Sequence, residues 1–268
     1  SRGLGDVYKR QAKAMSIHRL DRRIALFFLT RNWVAQKPKR LVVTLLCLTA
    51  TLSMLISNVA TTAMVVPIAL GILATILPRQ NAAQGVVLLA IAYAATIGGV
   101  ATPIGSTPNI IVLALLDETI GFRLSFFDWM SFGLPLAMIV LLALIFLTLR
   151  RLPSMRDRTL SEVDLLRSEF LALGRTSLGE KSTLVAVSVT ITLWILPSFL
   201  GIFLGKNHPW TLGLTEIFPE AVSAILGASL LFILPASSDD KPRAALQWKE
   251  AVQIDWNSLL LFGGGLSL

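Results

Sequence analysis

Charge is confined to a few places in this chain, and that segregation limits the possible fold more than any other feature. No Asp, Glu, Lys, Arg or His occurs in 41–78, 80–116, 129–149, 182–205 or 221–238. About 20 consecutive apolar residues carry a helix across the hydrocarbon core of a bilayer, and most of these runs reach or approach that length. Only 15% of residues are charged and 54% are hydrophobic, whereas a soluble domain carries about a quarter charged residues. The expected fold is all-α: a polytopic, multi-pass integral membrane protein, placed in a bacterial inner (plasma) membrane.

The formal net charge of +8 belongs to the connections. Arg and Lys cluster before Leu41, between Arg150 and Lys181, and again at Lys241, Arg243 and Lys249, as cytoplasmic segments do under the positive-inside rule. The basic balance therefore marks topology, and nucleic acid is not an expected partner. Cys47 is the sole cysteine and sits in an apolar run, which excludes a disulfide framework and a thiolate metal site. Residues 1–11, with Asp6-Val7-Tyr8-Lys9-Arg10-Gln11, resemble translated sequencing adapter and are expected to be foreign to the protein. Residues 254–268 read as the start of a further span, so the native chain is expected to extend beyond both ends.

Residues 12–40 are expected to form a cytoplasmic interfacial helix, because Ile17, Leu20, Ile24, Phe27 and Phe28 recur at helical spacing among Arg19, Arg22 and Arg23. The run 41–79 is about twice one crossing and has basic residues at both ends, Lys37, Lys39 and Arg40 before and Arg79 after. Like flanks place both ends on one side. The segment must enter and return, and its midpoint, Ser57-Asn58, has neither charge nor a Gly/Pro-rich turn. A re-entrant hairpin with a tip buried in protein follows. The run 80–116 has unlike flanks, Arg79 and Asp117-Glu118, so it reads as one crossing. Its middle holds Gly98, Gly99, Thr102, Pro103, Gly105, Ser106, Thr107, Pro108 and Asn109, a density of Gly and Pro that breaks a regular helix. Residues 129–149, capped by Asp128, 182–205 and 221–238 read as ordinary transmembrane helices, with 150–181 a cytoplasmic loop. Pro209 and Pro219 are assigned to a short external loop.

A hairpin beside a broken helix is an arrangement that secondary carriers use at the midplane. Helix C-termini offer carbonyls to a cation, and N-termini offer N–H groups to an anion. Neither segment holds a charged side chain. A bound anion must then be balanced by helix ends and a co-bound cation, and a proton has no Asp, Glu or His to ride on. Neutral oxygens of Ser53, Ser57 and Asn58 suit Na⁺ as the coupling ion, and no organic cofactor is expected.

Ser57-Asn58-Val59-Ala60-Thr61-Thr62 through Pro67 resembles the Ser-Asn-Thr hairpin motif of the divalent anion/sodium symporters. Gly98-Gly99 through Asn109 is similar to that family's unwound loop, and Phe127-Asp128-Trp129-Met130, Gly133-Leu134-Pro135 and Leu261-Phe262-Gly263-Gly264-Gly265 also fit it. The resemblance implies the first part of an inverted-repeat transporter, functioning as a homodimer. It implies a sodium site from Ser53, Ser57, Asn58 and the Gly105 carbonyl. Substrate binding falls to Ser57, Asn58 and Ser106, with Gly98, Gly99, Thr102, Pro103, Pro108 and Asn109 shaping the break. Val59 stands where the motif has threonine, and Thr107 where proline is common.

The expected function is Na⁺-coupled symport of small di- or tricarboxylates such as succinate, by alternating access. Sulfate or another oxyanion is the alternative substrate, since backbone groups would serve either. Arsenite-type efflux fits less well. Intramembrane hydrolysis by a Ser57 nucleophile needs a His or Lys base nearby, and none lies in the apolar runs, so no catalytic residue is assigned.

Overall fold

The computed structural model describes residues 4–35, 37–77, 81–122, 124–152, 167–205, 208–237 and 243–253. It is built of α-helices: α1 (Leu4–Ile17), α2 (Leu20–Leu29), α3 (Asn32–Ala35), α4 (Pro38–Ser53), α5 (Asn58–Ile76), α6 (Asn81–Ala101), α7 (Thr107–Ile120), α8 (Phe126–Arg151), α9 (Leu178–Leu204), α10 (Pro209–Ile217), α11 (Glu220–Ile233) and α12 (Trp248–Ala251). A short helical segment also covers 167–172. Arg79 and the expected span at 254–268 lie outside the described residues.

Two compact units divide the chain, one formed by 21–106 with 132–175, the other by 1–20, 107–131 and 176–268. In the first, α4 and α5 pack on each other and both pack on α6. Their interface is apolar, with Leu41, Leu45 and Leu46 of α4, Val65, Ala69 and Ile72 of α5, and Val87, Ile91 and Ala94 of α6 all buried. Within the run 41–77 the chain forms two helices joined by a four-residue tip, Met54 to Ser57. Gly98 sets how closely α6 can lie against α4. A Cβ added there would stand 2.0 Å from the Ala50 carbonyl oxygen and 2.6 Å from its Cα, so the two backbones touch.

The basic amphipathic segment is not one continuous helix. The chain turns at His18-Arg19, where Arg19 adopts φ +56°, and α2 starts afresh. Its buried residues include Ala25, Leu26 and Leu29, whereas Phe27 and Phe28 are left exposed. Those two rings suit a membrane interface. Arg23 donates to the Leu173 and Gly174 carbonyls at 3.0 Å, closing the end of the 167–172 segment. Burial pushes the Asp21 carboxyl above its ordinary range, although the Arg22 N–H bonded to it pulls the other way.

The α8 start differs in detail from the sequence expectation. Ser125 is the N-cap, and Asp128 lies three residues on. The Ser125 N–H donates to Asp128 Oδ2 (3.0 Å) while Asp128 N–H donates to Ser125 Oγ (3.1 Å). This is a capping box, with Asp128 its acidic member. Helix α8 exposes Leu136, Ile139, Leu142, Phe146 and Leu147, an apolar surface for lipid.

In the second unit, α9 packs on α10 and α11, and α1 packs on α11. Ser177 and Glu180 form another capping box at the start of α9. The expected loop around Pro209 is helical, because proline is tolerated in a first turn where its missing N–H has no partner. Helix α11 stops at Ile233, short of the expected 238. Residues 235 and 244 then form an antiparallel bridge, and Ser182 Oγ donates to the Pro235 carbonyl (2.6 Å). Among the described residues, α8, α9 and Ala82–Ala101 of α6 are each long and apolar enough to cross a membrane. Helices α10 and α11, bent by 59°, qualify only as a pair.

Candidate functional site

The hairpin tip is built by two helix ends meeting across four residues. Helix α4 ends at Ser53, and the N–H groups of Leu55 and Ile56 turn back to the Leu52 carbonyl (3.1 and 3.0 Å). Helix α5 begins at Asn58, N-capped by Ser57, whose Oγ accepts the Ala60 N–H at 3.3 Å. Serine is favoured here because its short side chain reaches back to an otherwise orphaned donor. Carbonyls at the end of one helix and N–H groups at the start of the next therefore lie side by side.

Ser53 is fully buried, and its Oγ donates to Asn58 Oδ1 at 2.7 Å. The predicted pair is thus in direct contact. Asn58 in turn lies on the backbone of α6. A Cβ on Gly99 would stand 2.4 Å from Asn58 Oδ1, so only glycine admits that side chain. Gly98 and Gly99 remain helical, contrary to the expectation that unwinding starts with them. Their role is close approach.

The break itself is confined to Thr102–Ser106, between α6 and α7. It is tied to the tip by buried Thr102. Thr102 Oγ1 donates to the Met54 carbonyl (2.6 Å) and accepts the Gly105 N–H (3.0 Å). One hydroxyl thus joins the hairpin turn to the break. Pro103 is buried within the turn, and Pro108 falls in the first turn of α7, where it removes no needed hydrogen bond. Gly105 is where backbone oxygens converge. A Cβ there would lie 2.6 Å from the Gly99 carbonyl oxygen and 3.0 Å from that of Ser53.

Ser53, Asn58, Gly99, Thr102 and Gly105 are therefore gathered around one spot. Its donors are neutral: the Ser53 hydroxyl, the Asn58 amide oxygen and the carbonyls of Ser53 and Gly99. Such a set suits a hard monovalent cation. Among the described residues there is no group of three His, Cys, Asp or Glu side chains that could hold a metal. The two carbonyls of Ser53 and Gly99 were not legible in the sequence, since any residue supplies a carbonyl. The Gly-Gly pair and Gly105 were the only signal that backbone comes close here.

No contact of the Ser57 or Ser106 side chain with that cluster is seen among the described residues. Ser57 is exposed, with its hydroxyl engaged in capping. Ser106 is half-buried at the end of the break, and Asn109 is buried in the first turn of α7. Val59, in the first turn of α5, is 81% exposed.

A family model described as citrate transporter matches residues 12–268. The chain is also similar to the sodium-dependent dicarboxylate transporter SdcS of Staphylococcus saprophyticus, at 33% identity over 96% of the chain and 50% of that protein. The protein of the same name in Staphylococcus aureus is 33% identical, over 96% of the chain and 49% of its own length. The chain spans about half the length of the curated relatives it matches.

Proposed function

The chain belongs to the citrate transporter family, and from that premise we propose that it supplies one half-site of a carrier that moves small di- and tricarboxylates together with Na⁺. The single observation that carries this reading is the neutral oxygen cluster of Ser53, Asn58, Gly99 and Gly105 at the junction of hairpin and break. Its sodium-dependent, dicarboxylate-carrying relatives support the choice of ion and substrate class.

In this reading Ser53 Oγ, Asn58 Oδ1 and the carbonyls near Gly105 replace the water around Na⁺. The cation and the N-terminal N–H groups of α5 then offset the charge of a carboxylate, which Ser57, Asn58 and Ser106 contact. A second half-site comes from an inverted repeat, and alternating access exposes the pair to each side in turn. Because the cluster contains no titratable carboxylate or imidazole, coupling to protons finds no carrier in it.

Uptake of radiolabelled succinate by the full-length protein should require Na⁺ and fall to background when choline replaces it. Equal uptake in choline would end the coupling argument. Citrate should compete, and sulfate in the same assay tests whether the anion site reads carboxylates.

A second expectation concerns Val59. Its side chain is exposed, so Val59→Thr adds a hydroxyl at the tip without burying it. Folded yield should be unchanged, and half-saturation by succinate should fall by a few-fold, on the order of one modest hydrogen bond. Weaker binding of both succinate and citrate would instead show that the anion meets an apolar contact there.

A further inference from the structure

Threonines inside these helices follow a common habit. Thr49 donates to the Leu45 carbonyl (2.7 Å), Thr51 to Cys47 (2.9 Å), Thr62 to Asn58 (2.7 Å), Thr96 to Ala92 (3.1 Å) and Thr148 to Leu144 (2.7 Å). Each returns its hydroxyl to the carbonyl four residues back, the cheapest way to satisfy it away from water. Thr61, like Thr183 in the other unit, departs from this. It is 1% exposed, yet its Oγ1 has no hydrogen-bond partner. The Ser57 carbonyl, which that hydroxyl could have used, receives only the Thr61 N–H at 2.9 Å. A buried hydroxyl left unpaired is costly, and no water is at hand inside a bilayer to relieve it.

The place of Thr61 in α5 relates it to the tip. It lies three residues after Asn58, about 4.5 Å further along the helix axis and on the same face. Below it the stripe continues through Val65, Ile68, Ala69 and Ile72, all packed in the core that α5 shares with α4 and α6. Thr61 is thus the first residue of that buried stripe beneath the cluster of Ser53, Asn58 and Gly99.

We infer that the Thr61 hydroxyl is a further ligand of the cation held at the hairpin tip, contributing from the buried side one turn below Asn58. This rests on the sodium reading of the tip given above. A neutral hydroxyl adds a hard oxygen without adding charge, in keeping with the other donors.

Thermal unfolding of the purified full-length protein tests it, with NaCl titrated against KCl at constant ionic strength and no substrate present. The wild-type midpoint should rise with Na⁺, since a ligand that binds only the folded state stabilises it by mass action. Thr61→Val keeps the shape and deletes the unpaired hydroxyl. In KCl its midpoint should equal or exceed that of the wild type, whereas half-saturation by Na⁺ should rise by about tenfold or more. Thr61→Ser should stay within about threefold of the wild type. A Thr61→Val protein with the wild-type Na⁺ response would overturn the inference while leaving the sodium reading intact. A wild type that ignores Na⁺ would remove both. Should Thr61→Val not fold, Thr61→Ala is read in the same titration, and failure of both to fold would show a purely structural residue.

Discussion

Asn58→Ala is expected to reduce Na⁺-driven succinate uptake by more than about a hundredfold. Loss of a group that merely supports a metal ligand already costs 10- to 100-fold in affinity, and the role proposed for Asn58 is that of a ligand. Its Oδ1 accepts the Ser53 hydroxyl at 2.7 Å and lies against the Gly99 backbone. In the proposed sodium site truncation removes one cation oxygen; in any case it leaves the fully buried Ser53 hydroxyl without that acceptor and empties the space that glycine provides at position 99. Cys47→Ala serves as the control: it changes a half-buried side chain in α4 and should leave uptake near normal. Both variants should reach the membrane in similar amount, which a quantitative blot checks. Asn58→Ala with ordinary uptake would mean that the tip is packing alone. Gly99→Ala approaches the same site from α6 and should also lower uptake, since its methyl would displace the Asn58 amide.

The second large effect concerns assembly. Gly98→Ala is expected to destabilise the α4–α5–α6 unit by at least about 3 kcal/mol, at the upper end for overpacking, and to leave little extractable folded protein. The added carbon would stand 2.0 Å from the Ala50 carbonyl oxygen. That obstacle is backbone, so no side-chain rotation relieves it, and α6 must draw away from α4. The contrast is internal to the same unit. Gly71 in α5 and Gly85 in α6 have nothing within 4 Å of such a carbon. Gly85→Ala should be neutral or stabilising by up to about 1 kcal/mol, as alanine favours helix. Size-exclusion profiles and unfolding midpoints of the purified variants distinguish these outcomes. A Gly98→Ala protein as stable as Gly85→Ala would show that α4 and α6 do not meet as described.

The sequence by itself marked most of the long helices, because the bilayer leaves no other way to satisfy a buried backbone, although it missed α10 at Pro209. Charge-free runs mark the three helices that are long and apolar enough to cross a membrane. The uncharged midpoint Ser57-Asn58 marked the hairpin tip, and the Gly/Pro density after Gly98 marked the break. The family membership reached from those motifs agrees with the matched family. Finer features depended on tertiary structure. Periodicity could not show that α2 buries Leu26 and Leu29 while leaving Phe27 and Phe28 outside, because both choices satisfy a helical stripe. It could not separate a glycine that unwinds a helix from one that lets two helices touch, and Gly98 and Gly99 proved to be the second kind. Nor could it tell Thr61 from Thr62. Both are hydroxyls one turn past the tip, but Thr62 is closed on its own helix and Thr61 is turned inward without a partner. Backbone carbonyls carry no sequence signature at all, so the approach of Ser53 and Gly99 to Gly105 exists only once α4 and α6 are packed. Chain-local chemistry fixed the elements, and contact between elements remote in sequence decided which oxygens face one another.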